Sequence, residues 1–289
     1  MLKSNDRLME YFSGYIKHLH ARNLSNSTIN IYNEKLGIFL QWCEKRHISE
    51  FAELTPDNLR AFLIDVRSTH NPGGTHAIYR AVKTFLRWYT FETDEPTPIA
   101  KVKMQEPKPG RLDPIPVEDI KALLQVGGVR DKAIIYFLYD TGVRVSELVA
   151  LDRDQYDLVS GETVLHTTKN GEARLVILGQ VGRRSMRSYL KTRDDNSPAL
   201  FVSQFKERIV DHGVQEILRR LCHRAGIRVW YPHAFRRSYA LSCLRGGMDI
   251  FTLQLLMGHQ DLQVLRRYLK QTQNDIRITS QRYSPADKL

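Results

Sequence analysis

The sequence predicts a mostly α-helical protein of two domains that also contains one small β-hairpin. Three observations support this prediction. Apolar residues recur at helical spacing through most of the 289 residues. Six of the eleven prolines fall between positions 93 and 116, where they divide the chain. Two β-rich runs, at 163–168 and 173–178, flank the turn dipeptide Asn170-Gly171.

Residues 1–92 are predicted to form the first domain, a compact module of amphipathic helices. In its second helix Ile29 and Leu36 lie on one apolar face, two turns apart. Its third helix has a strong start signal, because Thr55 supplies a cap and Pro56 suits the first turn. The four predicted helices span about 5–20, a Ser27/Thr28 cap through 40, a Thr55 cap through 66, and 76–89.

The proline-rich stretch 93–116 is predicted to be an extended linker, because proline at this density stops helices. The second domain then covers 117–289, an α-rich domain with the small hairpin. Its predicted elements are a helix from Val117, a helix over 130–139 that stops at Gly142, a helix from Arg144 through Leu151, the hairpin, and helices after Gly179 with breaks at 194–198 and 246–247.

The composition favours a polyanionic partner and excludes several classes of protein. The net charge is +11, and a basic balance favours phosphate-rich ligands, although a solvated basic surface explains charge alone equally well. The three cysteines are far apart, so no disulfide framework or zinc site is predicted and a reducing cytoplasm fits. The sequence has no secretory signal and no membrane-length apolar stretch, so no membrane association is predicted.

Six residues suited to phosphate chemistry occur in a fixed order along the second domain. Taken singly, each has an ordinary explanation; Tyr268, for example, falls on an apolar face with Leu262 and Leu265. Taken together, two arginines, a lysine and two imidazoles suit a phosphoryl group in transfer, and a tyrosine is a candidate nucleophile. No Walker-type loop or metal-carboxylate cluster accompanies them, so neither cofactor nor metal is predicted. The six residues are Arg144, Lys169, His233, Arg236, His259 and Tyr268.

These residues lie in motifs that resemble the tyrosine recombinases, the phage-integrase and Xer family. The matching stretches are Thr-Gly-Val-Arg-Val-Ser-Glu-Leu around Arg144, the Lys169 hairpin with Arg174 five residues on, His-Ala-Phe-Arg-Arg from His233, Leu-Met-Gly-His-Gln-Asp-Leu around His259, and Tyr268 nine residues later. The segments 24–39 and 54 onward resemble the family's SAM-like core-DNA-binding helices. The resemblance covers nearly the whole chain and implies the DNA breaking-rejoining fold for the second domain.

The resemblance also implies a role for each matching residue. Tyr268 would attack the scissile phosphorus, giving a 3′-phosphotyrosyl link and a free 5′-hydroxyl. Arg144 and Arg236 would hold the non-bridging oxygens, for which a guanidinium group is well suited. Lys169 would protonate the leaving 5′-oxygen. The phosphotyrosyl bond would retain the energy of the cleaved bond, so ATP would not be required.

Three further residues complete the implied site. His233 would assist proton transfer at the tyrosine, and His259 would hydrogen-bond the phosphate. Glu147 would orient the region of Arg144 rather than take part in chemistry. Two other tyrosines compete for the role of nucleophile, but Tyr239 is predicted to lie in the core and Tyr283 lacks the family's spacing.

The resemblance further implies an assembly on DNA. Four protomers, as a homo-tetramer or a hetero-tetramer with a related recombinase, would act on two double-stranded DNA core sites through a Holliday junction. The expected location is the cytoplasm, at the nucleoid. No arm-binding domain is expected ahead of the first module. The tail after Leu269 is expected to dock on a neighbouring protomer.

The sequence departs from the family around two of its motifs. Residues 263–267 are Gln-Val-Leu-Arg-Arg where relatives carry small hydroxylated residues, and Ala234-Phe235 replaces an acidic-Leu pair. Target choice and biological role therefore do not carry over. Three alternatives stay open: a relaxing topoisomerase of the same chemistry, a DNA-binding protein without catalysis, and a metal-dependent nuclease using His233 and His259.

Overall fold

The structure, a computed structural model, describes residues 5–107, 114–166 and 173–258, together with 280, 281, 283, 284 and 286–288. It confirms the predicted fold class, since the described residues form eleven α-helices and one two-stranded sheet. None of the described helices is both long enough and apolar enough to cross a membrane. The chain divides into two compact units, Met1–Pro109 and Gly110–Leu289, which are described separately below.

The first unit contains four α-helices whose starts follow from local capping chemistry. Ser25 caps α2, two residues before the predicted cap, and its Oγ accepts a hydrogen bond from the backbone N of Thr28 at 3.3 Å. Thr55 caps α3 as predicted. Asn71 Oδ1 accepts from the backbone N of Gly74 at 2.8 Å, so α4 begins earlier than predicted. The helices are α1 (Asn5–Ala21), α2 (Asn26–Lys45), α3 (Pro56–Thr69) and α4 (Pro72–Thr93).

Aromatic side chains hold these helices together. Phe51, in the connection between α2 and α3, packs edge-on against Phe85 and Tyr89 of α4 with ring centroids 5.1 Å apart in both pairs. Phe39 of α2 packs in the same way on Phe62 of α3 at 5.0 Å. All five rings are buried. Because large rings bury much apolar area each, this cluster fixes the helix arrangement.

The segment predicted as a linker, 93–116, is not extended over its first part. Pro98–Lys101 forms a 3₁₀ turn, and the side chains of Ile99 and Val102 are buried in the core of the first unit. The Tyr79 hydroxyl donates to the carbonyl oxygen of Val102 at 2.9 Å. Apolar residues between the prolines therefore anchor this part of the segment, which proline content alone did not reveal.

The described part of the second unit contains seven α-helices and a hairpin. Strands β1 and β2 pair antiparallel, with Val164 opposite Leu175, and their connecting turn lies outside the described residues. The prediction of two strands is correct: β1 begins one residue earlier than predicted and its described part reaches His166, while β2 ends one residue earlier than predicted. The elements are α5 (Val117–Val126), α6 (Val129–Thr141), α7 (Val145–Ala150), β1 (Glu162–His166), β2 (Ala173–Ile177), α8 (Gln180–Lys191), α9 (Asp211–Ala225), α10 (Pro232–Arg245) and α11 (Ile250–Met257).

Helix α6 is the central element and positions the candidate site. Ile134, Ile135, Phe137 and Leu138 are all fully buried, so several faces of the helix are covered. Three of the helices, α5, α8 and α10, pack against it. The helix ends at Gly142, whose φ of 59° is the left-handed conformation that favours glycine. The chain then turns directly into the start of α7.

Candidate active site

Three arginines converge on the C-terminal end of α11. The last carbonyl groups of a helix lack intrahelical partners and lie at the negative end of the helix dipole, so cations bind well there. Three consecutive carbonyl oxygens each accept a hydrogen bond from a different guanidinium group. The contacts are Arg174 Nε to Leu256 O (2.9 Å), Arg236 Nη2 to Met257 O, and Arg144 Nη2 to Gly258 O (3.1 Å).

Arg144 lies at the start of α7, immediately after the turn that ends α6. Its backbone is extended, and its backbone N donates to Glu147 Oε2 at 2.7 Å. Its Nη1 also donates to Glu147 Oε1 at 2.8 Å. The side chain keeps 36% of its area exposed, so the guanidinium group is held from one side and open to solvent on another.

Glu147 is shared between Arg144 and Arg174. Arg174 Nη1 and Nη2 donate to the two carboxylate oxygens at 2.7 and 2.6 Å, a bidentate ion pair. The side chains of Arg174 and Glu147 are only 8% and 9% exposed. Burial alone would raise the pKa of Glu147, but the bonds from Arg174 and Arg144 outweigh it and lower the pKa to about 2. The carboxylate is therefore ionised at neutral pH, and the three side chains together carry one net positive charge.

Arg236 is the most deeply buried of the three arginines. It extends from α10, is 4% exposed as a residue, and donates from Nη1 to the carbonyl oxygen of Gly142 at 2.6 Å. A buried charge needs fixed partners, and two backbone carbonyls at helix ends supply them here. Arg236 therefore connects α10 with the ends of both α6 and α11.

His233 lies one turn before Arg236 on the same side of α10, directly after Pro232. The residue is exposed, yet its pKa is lowered. Partial desolvation of the ring is the largest cause, and the positive charges of Arg236, Arg237 and Arg144 add to it. The structure thus brings His233, Arg144 and Arg236 into one electrostatic neighbourhood, in which the imidazole is kept neutral.

The other three predicted site residues, Lys169, His259 and Tyr268, lie outside the described residues. Their placement therefore remains a prediction. Gly258 is the last described residue before His259. Its carbonyl oxygen accepts the hydrogen bond from Arg144 Nη2. Within the described ranges, no group of three or more His, Cys, Asp and Glu side chains is placed to hold a metal ion.

Both competing tyrosines have described positions. Tyr239 is half-buried and packs against the small apolar cluster of Ala240, Leu253 and Met257. Burial, and contact with Cys243, raise the pKa of its phenol, so it stays protonated. Tyr283 is 57% exposed.

Arg174 is the residue to which the sequence motifs assigned no role. It lies two residues before Val176 on β2, and Val176 is buried, so both face the core. A charged residue on the buried face of a strand requires a buried partner of opposite charge. The alternation of buried and exposed positions along β2 could therefore have indicated that Arg174 has a buried acidic partner. In the structure that partner is Glu147.

Comparison with known proteins identifies the class. The Phage integrase family matches residues 111–275, and its N-terminal SAM-like domain matches residues 12–92. "Tyrosine recombinase XerC" of Roseiflexus castenholzii is 30% identical over 277 residues, covering 90% of this chain and 88% of the relative. The chain therefore belongs to the phage integrase family, and it is an enzyme of the tyrosine site-specific recombinase class. The predicted resemblance and both parts of the predicted fold class are confirmed.

Solved structures agree with this assignment. The crystal structure of XerA recombinase is 25% identical, with a TM-score of 0.55, and covers 96% of this chain and 99% of the other. A lambda integrase (75–356) dimer bound to a COC′ core site is 15% identical and has a TM-score of 0.74, with 90% of this chain and 94% of the other covered. At that identity the second similarity concerns the fold alone.

Proposed function

We propose that this recombinase cleaves duplex DNA with Tyr268 as nucleophile, forming a 3′-phosphotyrosyl intermediate and releasing a 5′-hydroxyl. The observation that supports the proposal is the convergence of Arg144 and Arg236 on the end of α11, with His233 in the electrostatic neighbourhood of both arginines. That helix end leads directly into His259, and Tyr268 follows nine residues later.

The charge of the cluster suits a phosphodiester. Arg144, Arg174 and Glu147 together carry one positive charge, and Arg236 adds a second. The negative charge on the non-bridging oxygens grows as the nucleophile attacks, and preorganised cations stabilise that state more than the ground state. Arg144 is the exposed member, so its guanidinium group would approach the phosphate from the open side.

The proton balance follows from the same residues. The Tyr268 oxygen forms a bond to phosphorus while the bond from phosphorus to the 5′-oxygen breaks. The tyrosine proton passes to His233, which is competent to accept it because it is neutral at pH 7. Lys169 supplies a proton to the leaving 5′-oxygen, and His259 donates a hydrogen bond to the phosphate. Religation reverses these steps, so the chemistry requires neither ATP nor a metal ion.

Strand exchange would follow in a tetramer acting on two double-stranded DNA core sites, through a Holliday junction. The lambda integrase similar to this chain in fold is a dimer on a core site. Residues 1–92 would form the core-DNA-binding domain, 93–116 the linker and 117–289 the catalytic domain. The net charge of +11 would support binding along the phosphate backbone at the nucleoid, in the cytoplasm.

The test is a search for covalent adducts on nicked duplexes prepared from the DNA that flanks the gene. Wild type, Tyr268→Phe and Tyr283→Phe are incubated with each duplex in EDTA and analysed under denaturing conditions. We expect a denaturant-resistant adduct with wild type and Tyr283→Phe and none with Tyr268→Phe. An adduct that survives in Tyr268→Phe would show that another residue is the nucleophile.

Companion reactions, run with and without EDTA on the duplexes and on a supercoiled plasmid, separate the alternatives. Cleavage that stops in EDTA would favour the metal-dependent nuclease. Tight binding of every duplex without any adduct would favour a DNA-binding protein that lacks catalysis. Relaxation of a supercoiled plasmid without recombination of paired sites would favour a topoisomerase. In each case DNA binding should weaken steeply with salt, because phosphate neutralisation releases counterions.

A further inference from the structure

Arg174 is built into the protein rather than exposed to the substrate. Each of its three guanidinium nitrogens donates to a protein acceptor: Nε to Leu256 O, and Nη1 and Nη2 to the Glu147 carboxylate. With 8% of the side chain exposed, little of it is available to DNA. Its contribution must therefore pass through the groups that it holds.

One of those groups is the carboxylate that orients Arg144. Glu147 accepts hydrogen bonds from both the backbone N and the Nη1 of Arg144, so its position sets the direction of that guanidinium group. The bidentate pair with Arg174 fixes the carboxylate in turn, since two parallel bonds define its plane. A displaced Glu147 would displace Arg144.

Charge gives a second reason for Arg174. A lone Arg144–Glu147 pair would be neutral overall, and a neutral pair attracts a phosphate weakly. Arg174 offsets the charge of Glu147, so that the positive charge of Arg144 remains uncompensated. Glu147 can therefore orient Arg144 through its hydrogen bonds, while Arg174 neutralises the negative charge of the Glu147 carboxylate.

The second group held by Arg174 is the end of α11. Gly258 has a φ of 58°, and a Cβ at that position would lie 3.0 Å from Arg174 Nη1 and 3.2 Å from its Cδ. The backbone therefore approaches the Arg174 side chain closely, and the Nε bond to Leu256 O holds it there. Beyond Gly258 the chain continues into His259.

We propose that Arg174 is a positioning residue for phosphate activation: it fixes Glu147 and the last turn of α11, and through them the guanidinium group of Arg144. The inference rests on the proposed function, because it assigns Arg144 to the scissile phosphate. It goes further in naming a buried strand residue that determines how well that phosphate is held.

A measurement without DNA tests the contact itself. Hydrogen–deuterium exchange is followed on the full chain for two peptides, one covering α7 and the other covering residues 250–258. We expect Arg174→Met to accelerate exchange in both peptides, since it removes bonds to both helices. The matched control is Arg193→Met, which removes another buried arginine, one that pairs with Asp195 and donates to the Leu200 carbonyl oxygen.

The control should leave exchange in those two peptides unchanged, although it removes the same kind of ion pair. Unchanged exchange in both peptides of Arg174→Met would overturn the proposal. If Arg174→Met does not fold, Arg174→Lys takes its place, because a single ammonium group cannot replace the two-nitrogen fork on Glu147 and the bond to Leu256.

The closing experiment tests the consequence on a duplex that forms an adduct with wild type. Single-turnover adduct formation is measured with a normal scissile phosphodiester and with a neutral methylphosphonate at that position. We expect Arg174→Met to slow the reaction about 100-fold on the phosphodiester, as for the loss of a transition-state donor. On the methylphosphonate the effect should be much smaller, because less charge needs stabilising. DNA affinity should change little.

The outcomes distinguish the two proposals. Arg193→Met should have the same small effect on both substrates, because Arg193 bonds to Asp195, Ala199 and Leu200 rather than to Glu147 or α11. An equal effect of Arg174→Met on both substrates would overturn the positioning role. If wild type forms no adduct on any duplex, the proposed function fails instead, and the exchange experiment still decides whether Arg174 holds the two helices.

Discussion

Arg236 donates from Nη1 to the carbonyl oxygen of Gly142 at 2.6 Å, so the buried arginine of α10 is bonded to the turn that presents Arg144. Arg236 and Arg144 are distant in sequence, yet the same stretch of backbone positions both of their guanidinium groups. That backbone is the left-handed end of α6, two residues before Arg144. The geometry of one turn therefore sets the separation of two arginines.

Gly142→Ala should destabilise the protein strongly, because two effects combine at this position. The φ of 59° costs an L-residue about 1–2 kcal/mol. A Cβ would also lie 2.3 Å from the Tyr239 ring, and the resulting repacking adds about 1–3 kcal/mol. The free energy of unfolding from urea titrations measures the sum.

Gly226→Ala is the matched control for this substitution. Gly226 ends α9 with a similar φ of 66°, but a Cβ there would have nothing within 4 Å. Gly226→Ala should therefore lower the free energy of unfolding only by the cost of the left-handed backbone conformation. Equal losses in the two variants would contradict the steric contribution of Tyr239.

Glu147 should make the stability of the protein depend on acid pH. Its pKa is about 2 in the folded protein against 4.5 for a free glutamate. Because the folded value is lower, the stabilisation is complete above pH 4.5 and is lost as pH falls from there towards 2. The amount is on the order of 3 kcal/mol. Urea titrations of wild type and Glu147→Gln across this range should show a shallower pH dependence in the variant; parallel curves would contradict this.

Much of the fold could be predicted because its signals are local. Thr55-Pro56 marks the start of α3, and Gly142 marks the end of α6, through chemistry contained in a few consecutive residues. The cap of α2 was misplaced because the run 25–28 offers several hydroxyl groups, and only the surrounding chain decides between them. The packing of Ile99 likewise depends on a core assembled from distant helices.

The candidate site could be predicted only as a set of residues in order. The spacing of the motifs named Arg144, His233 and Arg236, and the structure places them together. The motif spacing did not indicate that the arginines would bind the end of α11. A hydrogen bond to a main-chain carbonyl can be accepted by any residue, so the sequence does not reveal it. The ion pair of Arg174 with Glu147 was missed because 27 residues separate the partners along the chain.

His233 should titrate below the pKa of 6.5 that an ordinary histidine has. Desolvation is the main cause and the neighbouring arginines add to it, so Arg237→Gln should raise the pKa of His233 without restoring it fully. NMR titration of the His233 ring signals in both proteins measures these values. A midpoint at or above 6.5 in wild type would contradict the neutral imidazole on which proton acceptance from Tyr268 depends.

Arg236→Lys should separate the geometry of the site from its charge. Lysine keeps the positive charge, but one ammonium group lacks the planar fork that bonds both the Gly142 and the Met257 carbonyl oxygens. The rate of adduct formation should fall about 100-fold, as for loss of a preorganised donor, while DNA affinity in a gel-shift titration changes little. Arg237→Lys, the same exchange at the next position, should retain most of the rate. If Arg236→Lys cleaves as fast as wild type, charge alone suffices, and the fork of Arg236 serves only to join helices.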